Sequence, residues 1–221
     1  MNGEASGRIT VVLDDVAAAS APLAWSSALA RTLERELQVV YVERTAVLAA
    51  AALPITQALA HAAAAWMPFS AADVERGYRL QAARLHELML EVGQQHALQP
   101  SLRIVRGALH DVALDVDGRS DLVLVGAAAL LPAAARQPLQ RCLSVLVWSD
   151  DTEQGMQLVK FAARCAQSLG AMAHVVHARA PVDAIDLRRA EADLLVLPRN
   201  AVSARVLASA RRPLLLVGRK G

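Results

Sequence analysis

Aromatic residues make up only 3% of this 221-residue chain. Rings can fill little of the interior, so Ala, Leu and Val must supply the core. Cysteine is almost missing too. Cys142 and Cys165 make neither a disulfide framework nor a zinc site, and a reduced, cytoplasmic setting is the simplest expectation. Charge of one sign is lacking: 23 basic against 21 acidic residues leave a formal +2, too little to draw a nucleic-acid partner. The opening MNGEASGRIT has neither a basic n-region nor an apolar h-region, so no signal peptide is expected. Long apolar runs are rare. The stretch 46–69 comes nearest, but it is mostly alanine, and Pro54, Gln57 and His61 interrupt it. A soluble helical hairpin is expected there rather than a membrane span. The chain also lacks a G-x-S-x-G elbow and a recognisable Ser-His-Asp arrangement.

What is present is a packed α/β pattern. Hydrophobic residues reach 55% and charged ones 20%, which argues for a core and against disorder. ITVVLDD reads as a short buried strand ending in carboxylates. Ser20 and Pro22 read as a helix cap and early-turn proline. Trp25, Leu29 and Leu33 then form one apolar stripe. LQVVYV is the next strand. Helices are expected over about 55–65 and 71–96, the second with Leu80, Leu85, Leu88 and Leu90 near one face. SLRIV, a helix over about 109–118, and DLVLVG follow. This alternation predicts a doubly wound, mostly parallel sheet with helices on both faces, Rossmann-like in class.

The pattern then returns. SVLVWSDD leads to a helix containing Phe161 and Leu169, then to MAHVVH. Asp14 and Asp15 recur as Asp150 and Asp151, 136 positions on. Trp25 and Phe161, Leu33 and Leu169, and Val39–Val40 and Val175–Val176 share that offset. Asp111 and Asp183, and DLVLV at 121 and DLLVL at 193, are instead 72 apart. A duplication with 64 residues missing from the second copy accounts for both offsets. The expected division is 1–140 and 141–221. CLSVLVW is contested, since it matches both ITVVL, which begins a copy, and PLLLV, which ends one. Either one copy lacks a strand or the C-terminal strand completes the first sheet. The halves are expected to pack as a pseudo-dimer, with one continuous sheet as one way of joining them.

These residues resemble the universal stress protein family. ITVVLDD is similar to its first strand, ending in the aspartate at Asp14. LARTLERELQVVYV resembles its first helix and second strand. RIVRGALHDVAL resembles the segment holding a Gly-Asp-Pro turn; Gly107 is kept, and Ala108 and Leu109 depart. DLVLVG and PLLLV resemble its fourth and fifth strands, and VHARAPVDAI keeps Pro181 of the same turn. The resemblance implies an adenine-nucleotide alpha hydrolase-like fold, dimeric or in tandem. ATP-binding members carry G-x2-G-x9-G-[ST], because glycines let backbone N–H groups reach phosphate oxygens at a helix start. From Gly126 that motif falls on Ala129, Leu139 and Gln140, so three of its four positions are lost. In the second copy it starts at Pro198 and Ala201, with no glycine.

No cofactor is therefore assigned. ATP and AMP are the candidates the resemblance brings, against a degraded motif. It also implies that Asp14 and the Val42 region contact an adenosine moiety. Asp14, Asp15, Val42, Gly107 and Gly126 form the candidate ligand-binding set, at the carboxyl edge where open sheets bind ligands. The bland alternative is that Asp14 and Asp15 cap their loop, and Asp150 and Asp151 theirs. Mg²⁺ on paired aspartates would need further oxygen ligands, and none is evident nearby. His110 is the histidine to watch; His174 and His177 face opposite sides of a strand. Cys142 and Cys165 read as small core residues in a strand and on a helix. Arg199, Arg205, Arg211 and Arg212 read either as an anion or acidic-partner site or as a solvated helix face. Trp66, Met67 and Phe69 read as a dimer seal or as the hairpin's own core.

Three functions compete. The leading one is a non-enzymatic stress-response or regulatory protein acting through homo-oligomerisation, as a dimer, or through a protein partner, with no nucleic-acid or membrane role. The alternative is a sensor binding a nucleoside or nucleotide at Asp14. An enzyme would require a nucleophile or metal set that the sequence does not display.

Overall fold

The computed structural model describes residues 7–53, 57–60, 65–68, 70–116, 120–126, 142–150, 152–177 and 192–218, without the side chains of 57–60, 65–68 and 177. Short continuous apolar runs, buried on both faces, set the central strands. β1 (Arg8–Leu13) leads through a 3-10 turn at Val16–Ala18 into α1 (Ser20–Leu33) and β2 (Glu36–Arg44). Next come α2 (Thr45–Ala51), β3 (Gln57–Ala60), β4 (Ala65–Pro68) and α3 (Ala71–His96). β5 (Ser101–Gly107), α4 (Leu109–Asp115) and β6 (Ser120–Val125) complete the first part. The second holds β7 (Ser144–Ser149), α5 (Glu153–Leu169), β8 (Met172–His177), β9 (Leu194–Pro198), α6 (Ala204–Ser209) and β10 (Leu214–Val217).

Eight strands form one sheet in the order β5-β2-β1-β6-β10-β9-β7-β8. All neighbours are parallel except β10 and β6. The fold class is thus the expected doubly wound α/β sheet, and the sheet is continuous. The contested strand β7 lies between β8 and β9, parallel to both, so it opens a strand-helix-strand unit with α5. β10 lies where a strand after β6 would sit, but runs the other way. It pairs parallel with β9 (Leu215↔Val196) and antiparallel with β6 (Leu215↔Leu124).

The sheet separates two apolar layers. Ile9, Val11, Leu124, Val147 and Leu215 face α1, α3 and α5. Val12, Val42, Val123, Leu197 and Leu216 face α4 and α6. Trp25 and Leu29 of the α1 stripe are buried and Leu33 packs at its margin, as their spacing predicts.

Four local expectations fail for identifiable reasons. Ser20 is the first helical residue of α1 rather than its cap. The Ala19 N-cap makes no side-chain bond, because the preceding 3-10 turn, capped by Asp15, delivers the chain directly into the helix. The helical hairpin at 46–69 is replaced by the short α2 and an antiparallel pair, β3 and β4, with Leu59 opposite Trp66. α2 ends at Ala51, just ahead of Pro54, which lacks a donor and disfavours helix in the residue before it. α3 matches its expected span, with a reciprocal Ser70–Asp73 capping box at its start. Only Leu85 and part of Leu88 of its four leucines face the core, whereas Leu80 is 70% and Leu90 53% exposed. The buried stripe is Val74, Tyr78, Ala82, Leu85 and Met89. Finally, Cys142 precedes β7 instead of lying in it.

No helix among the described residues is long and apolar enough to cross a membrane. Leu215, fully buried on β10, joins both sets of strands. Leu215→Ala is expected to cost about 2–5 kcal/mol in guanidinium unfolding. One transition should be seen by both tryptophan fluorescence and far-ultraviolet dichroism. Two separated transitions would show that β10 does not couple the parts.

Candidate functional site

Because β1, β2, β5 and β6 are parallel, their carboxyl ends share one edge. Asp14, Asp15, Gly107 and Gly126 therefore gather there. Val42 lies one step past Tyr41, which pairs with Leu13 on β1, and its side chain is fully buried with the α4 and α6 layer.

Asp14 is a buried carboxylate whose side chain is 5% exposed, and Arg44 at the end of β2 holds it, Nε to Oδ2, at 3.6 Å. Asp15 accepts the Ala17 N–H at 2.9 Å and caps the 3-10 turn. The capping alternative thus describes Asp15, and Asp14 is an ion-paired buried group. Gly126 donates its N–H to the Val12 carbonyl at 3.0 Å. A Cβ there would stand 2.5 Å from Leu13 Cδ2, and its φ is not left-handed. Close packing against β1 explains this glycine. Gly107 lies opposite Arg44 in the register, and a Cβ would come within 3.2 Å of Val112 Cγ2.

Around Asp14 lies a polar network that the motifs did not reveal. Arg106 donates to Glu43 at 2.8 Å and reaches Glu75 at 3.4 Å. The Glu43 hydrogen bond raises the Arg106 pKa further. Tyr41 donates to Gln81 Oε1 at 2.6 Å, and Tyr78 to the Arg44 carbonyl at 3.2 Å. The rings meet edge to face, with centroids 6.3 Å apart. Burial pushes both phenols above their ordinary range. The only sequence signal was the i, i+3 placement of Glu75 and Tyr78 on α3, legible once the helix is phased against β2.

The second aspartate lies elsewhere. β7 runs opposite to β1, so Asp150 is at the far edge of the sheet from Asp14. Asp150 accepts the Thr152 backbone N–H at 3.2 Å and its hydroxyl at 2.5 Å. The hydroxyl bond lowers its pKa. Thr152 in turn caps α5 through the Gly155 N–H. A Cβ on Gly155 would stand 2.3 Å from the Asp150 carbonyl oxygen, so this glycine too serves close approach. Asp151, Ala129, Leu139, Gln140, Pro181 and Asp183 lie outside the described residues.

The basic cluster divides. Arg199 is only 5% exposed. Its guanidinium donates to the carbonyls of Leu114 at 3.2 Å, Val116 at 2.7 Å and Ser120 at 3.3 Å. It therefore ties β9 to the α4–β6 connection, while Arg205 and Arg211 stay exposed. His110 lies on α4 beside Asp111, 3.5 Å away. His174 is exposed on β8. Burial pushes the Cys142 and Cys165 thiols up to about 12, as small core residues. Trp66 and Met67 fall on β4, with side chains outside the described set, as is Phe69. Among the described residues no group of three or more His, Cys, Asp or Glu is placed to hold a metal.

No protein-family model matches the chain, and no curated protein matches it. Among solved structures it is similar to a universal stress protein from Archaeoglobus fulgidus DSM 4304. Identity is 10% and the TM-score 0.47, covering 97% of this chain and 97% of that one.

Two substitutions separate these roles. Arg199→Met should lower stability by about 3 kcal/mol, since buried carbonyls lose a charged donor. Arg205→Met, on the exposed face, should change it by less than about 0.5 kcal/mol. Equal effects in urea unfolding would rule out the buried-clamp assignment. Gly126→Ala should cost about 1–3 kcal/mol through overpacking against Leu13; a neutral result in the same assay would show that Leu13 yields.

Proposed function

We propose that this chain is a non-enzymatic stress-response or regulatory protein of the universal-stress type, working through self-association or a protein partner. We further propose that residues 1–140 and 141–221 are two related halves, the second shortened. Supporting the second point, β1–α1–β2 and β7–α5–β8 are both parallel units with an aspartate directly after the first strand.

The observation that carries the functional reading is what occupies the phosphate-turn glycine. The Gly126 N–H is engaged by Val12, and Leu13 fills the space at its Cα. A phosphate cradle requires such N–H groups to point at the ligand. The sequence adds Ala129, Leu139 and Gln140 at the remaining motif positions. Asp14, the other family position, is already paired with Arg44. Removing a buried carboxylate from its cation is costly, so a ligand there must compete with that pair.

A second reading, a nucleoside or nucleotide sensor, is favoured by one fact: Asp14, Asp15, Gly107 and Gly126 converge on one edge. A ligand without phosphates would need only the Asp14 part.

Native mass spectrometry of the freshly purified protein separates the readings. The expected result is a defined oligomer carrying no adenine nucleotide and binding no added ATP at micromolar concentration. Copurified nucleotide would overturn the non-binding reading, and a monomer at micromolar protein would overturn self-association. For the sensor, adenosine should raise the melting temperature of the native protein and leave Asp14→Ala unchanged; no shift in either rejects it.

A further inference from the structure

β8 closes one end of the eight-stranded sheet, and among the described residues β7 is its only strand partner. By sequence its counterpart in the first half is β2, 136 positions earlier. There β5 covers the outer side of β2 from Gln38 to Arg44, pairing Val39 with Leu102. Burial records the difference. Val39 is 0% exposed, whereas its counterpart Val175 is 38% and Met172 67% exposed. Among the described residues, the second half thus ends where the first has one more strand.

The backbone on that outer side is aimed to pair. The Met172 N–H donates inward to the Leu143 carbonyl, just ahead of β7, at 2.9 Å. Backbone groups alternate in direction along a strand, so those of Ala173 and Val175 point away from β7. An open edge is ordinarily guarded by charge. β5, at the other end of the sheet, carries Arg103 and Arg106. β8 reads MAHVVH, with no Lys, Arg, Asp or Glu.

We propose that β8 pairs antiparallel with β8 of a second copy of this chain, about a two-fold axis at Val175, so that two eight-stranded sheets become one. This interface rests on the self-association reading and gives that reading a surface. Charge and closure select the occupant. β8 meets its own copy without opposed arginines or carboxylates, whereas β5 against β5 would bring arginines together. β8 against β5 of another copy would leave an edge free at each end and run on as a filament; β8 against β8 closes. The chain already contains a join of this kind, since β10, an uncharged apolar strand, runs antiparallel to β6. With the axis at Val175, the outward N–H and C=O of the two Val175 residues satisfy one another, and Ala173 pairs with His177.

The test uses the full chain. Native mass spectrometry should show a dimer. Val175→Pro removes an outward donor and spares the β7 ladder, a placement that edge strands tolerate. It should keep the native far-ultraviolet dichroism and weaken the dimer about tenfold or more. Val175→Cys should form a disulfide-linked dimer under mild oxidation, because opposed Cα atoms in such a pair stand about 5.5 Å apart. Ile104→Cys, exposed on β5, should not, and neither should the native protein, whose Cys142 and Cys165 are buried. If Val175→Pro fails to fold, the crosslink decides alone. A native dimer that neither crosslinks at position 175 nor weakens in Val175→Pro, or that crosslinks equally at position 104, would overturn this interface and leave self-association standing. A native monomer would overturn both. Rapid alkylation of Val175→Cys in that monomer would mark the edge as open to another protein's strand.

Discussion

β10 has two unlike neighbours, and the molecule is organised around that fact. It runs parallel to β9 and antiparallel to β6, with Leu215 opposite Val196 on one side and Leu124 on the other. Two parallel sets of four strands, β5-β2-β1-β6 and β10-β9-β7-β8, are thereby joined with opposite sense. Every backbone donor and acceptor along the join must be satisfied once water is excluded. The antiparallel ladder satisfies them without a crossover. Arg199 reinforces the seam from β9 by binding carbonyls at the end of α4 and the start of β6.

From this join follows the placement of chemistry. Asp14 and Asp150 have similar settings in the sequence, each after a buried strand. They end at opposite edges of the sheet, because one parallel set is reversed relative to the other. They cannot act together on a single ligand. The reversal also brings the beginnings of β1 and β6 beside the end of β10. Residues far apart in the chain, Arg8, Asp121 and Val217, meet there.

At the Asp14 edge, side chains expected to contact a ligand also have partners within the fold. Arg44 pairs with the buried carboxylate, and Leu13 packs on Gly126. Tyr41 and Tyr78, the chain's two tyrosines, support the same corner through Gln81 and the Arg44 carbonyl. None of these partners belongs to a sequence motif. Their spacing acquires meaning only after α3 is laid against β2. Arg199 makes the same point, since its side chain could be read as surface charge until burial assigned it to carbonyls.

Local sequence by itself determined the eight sheet strands as short apolar runs, the span of α3, the α1 stripe of Trp25 and Leu29, and, through the alternation of strands and helices, the doubly wound class. Runs, stripes and their order are visible in one dimension. The phase of α3 was less legible, because alanine and leucine recur on several of its faces and packing alone chose Val74, Tyr78, Ala82, Leu85 and Met89. The alanine-rich stretch before it was equally permissive, and Pro54 with strand pairing overrode its helical composition. Only the tertiary structure decided that β7 opens a unit, that β10 turns against β6, and that the two aspartate edges face apart. Strand order and direction arise from long-range hydrogen bonding and layer burial between segments separated by tens to hundreds of residues. No local pattern carries that information.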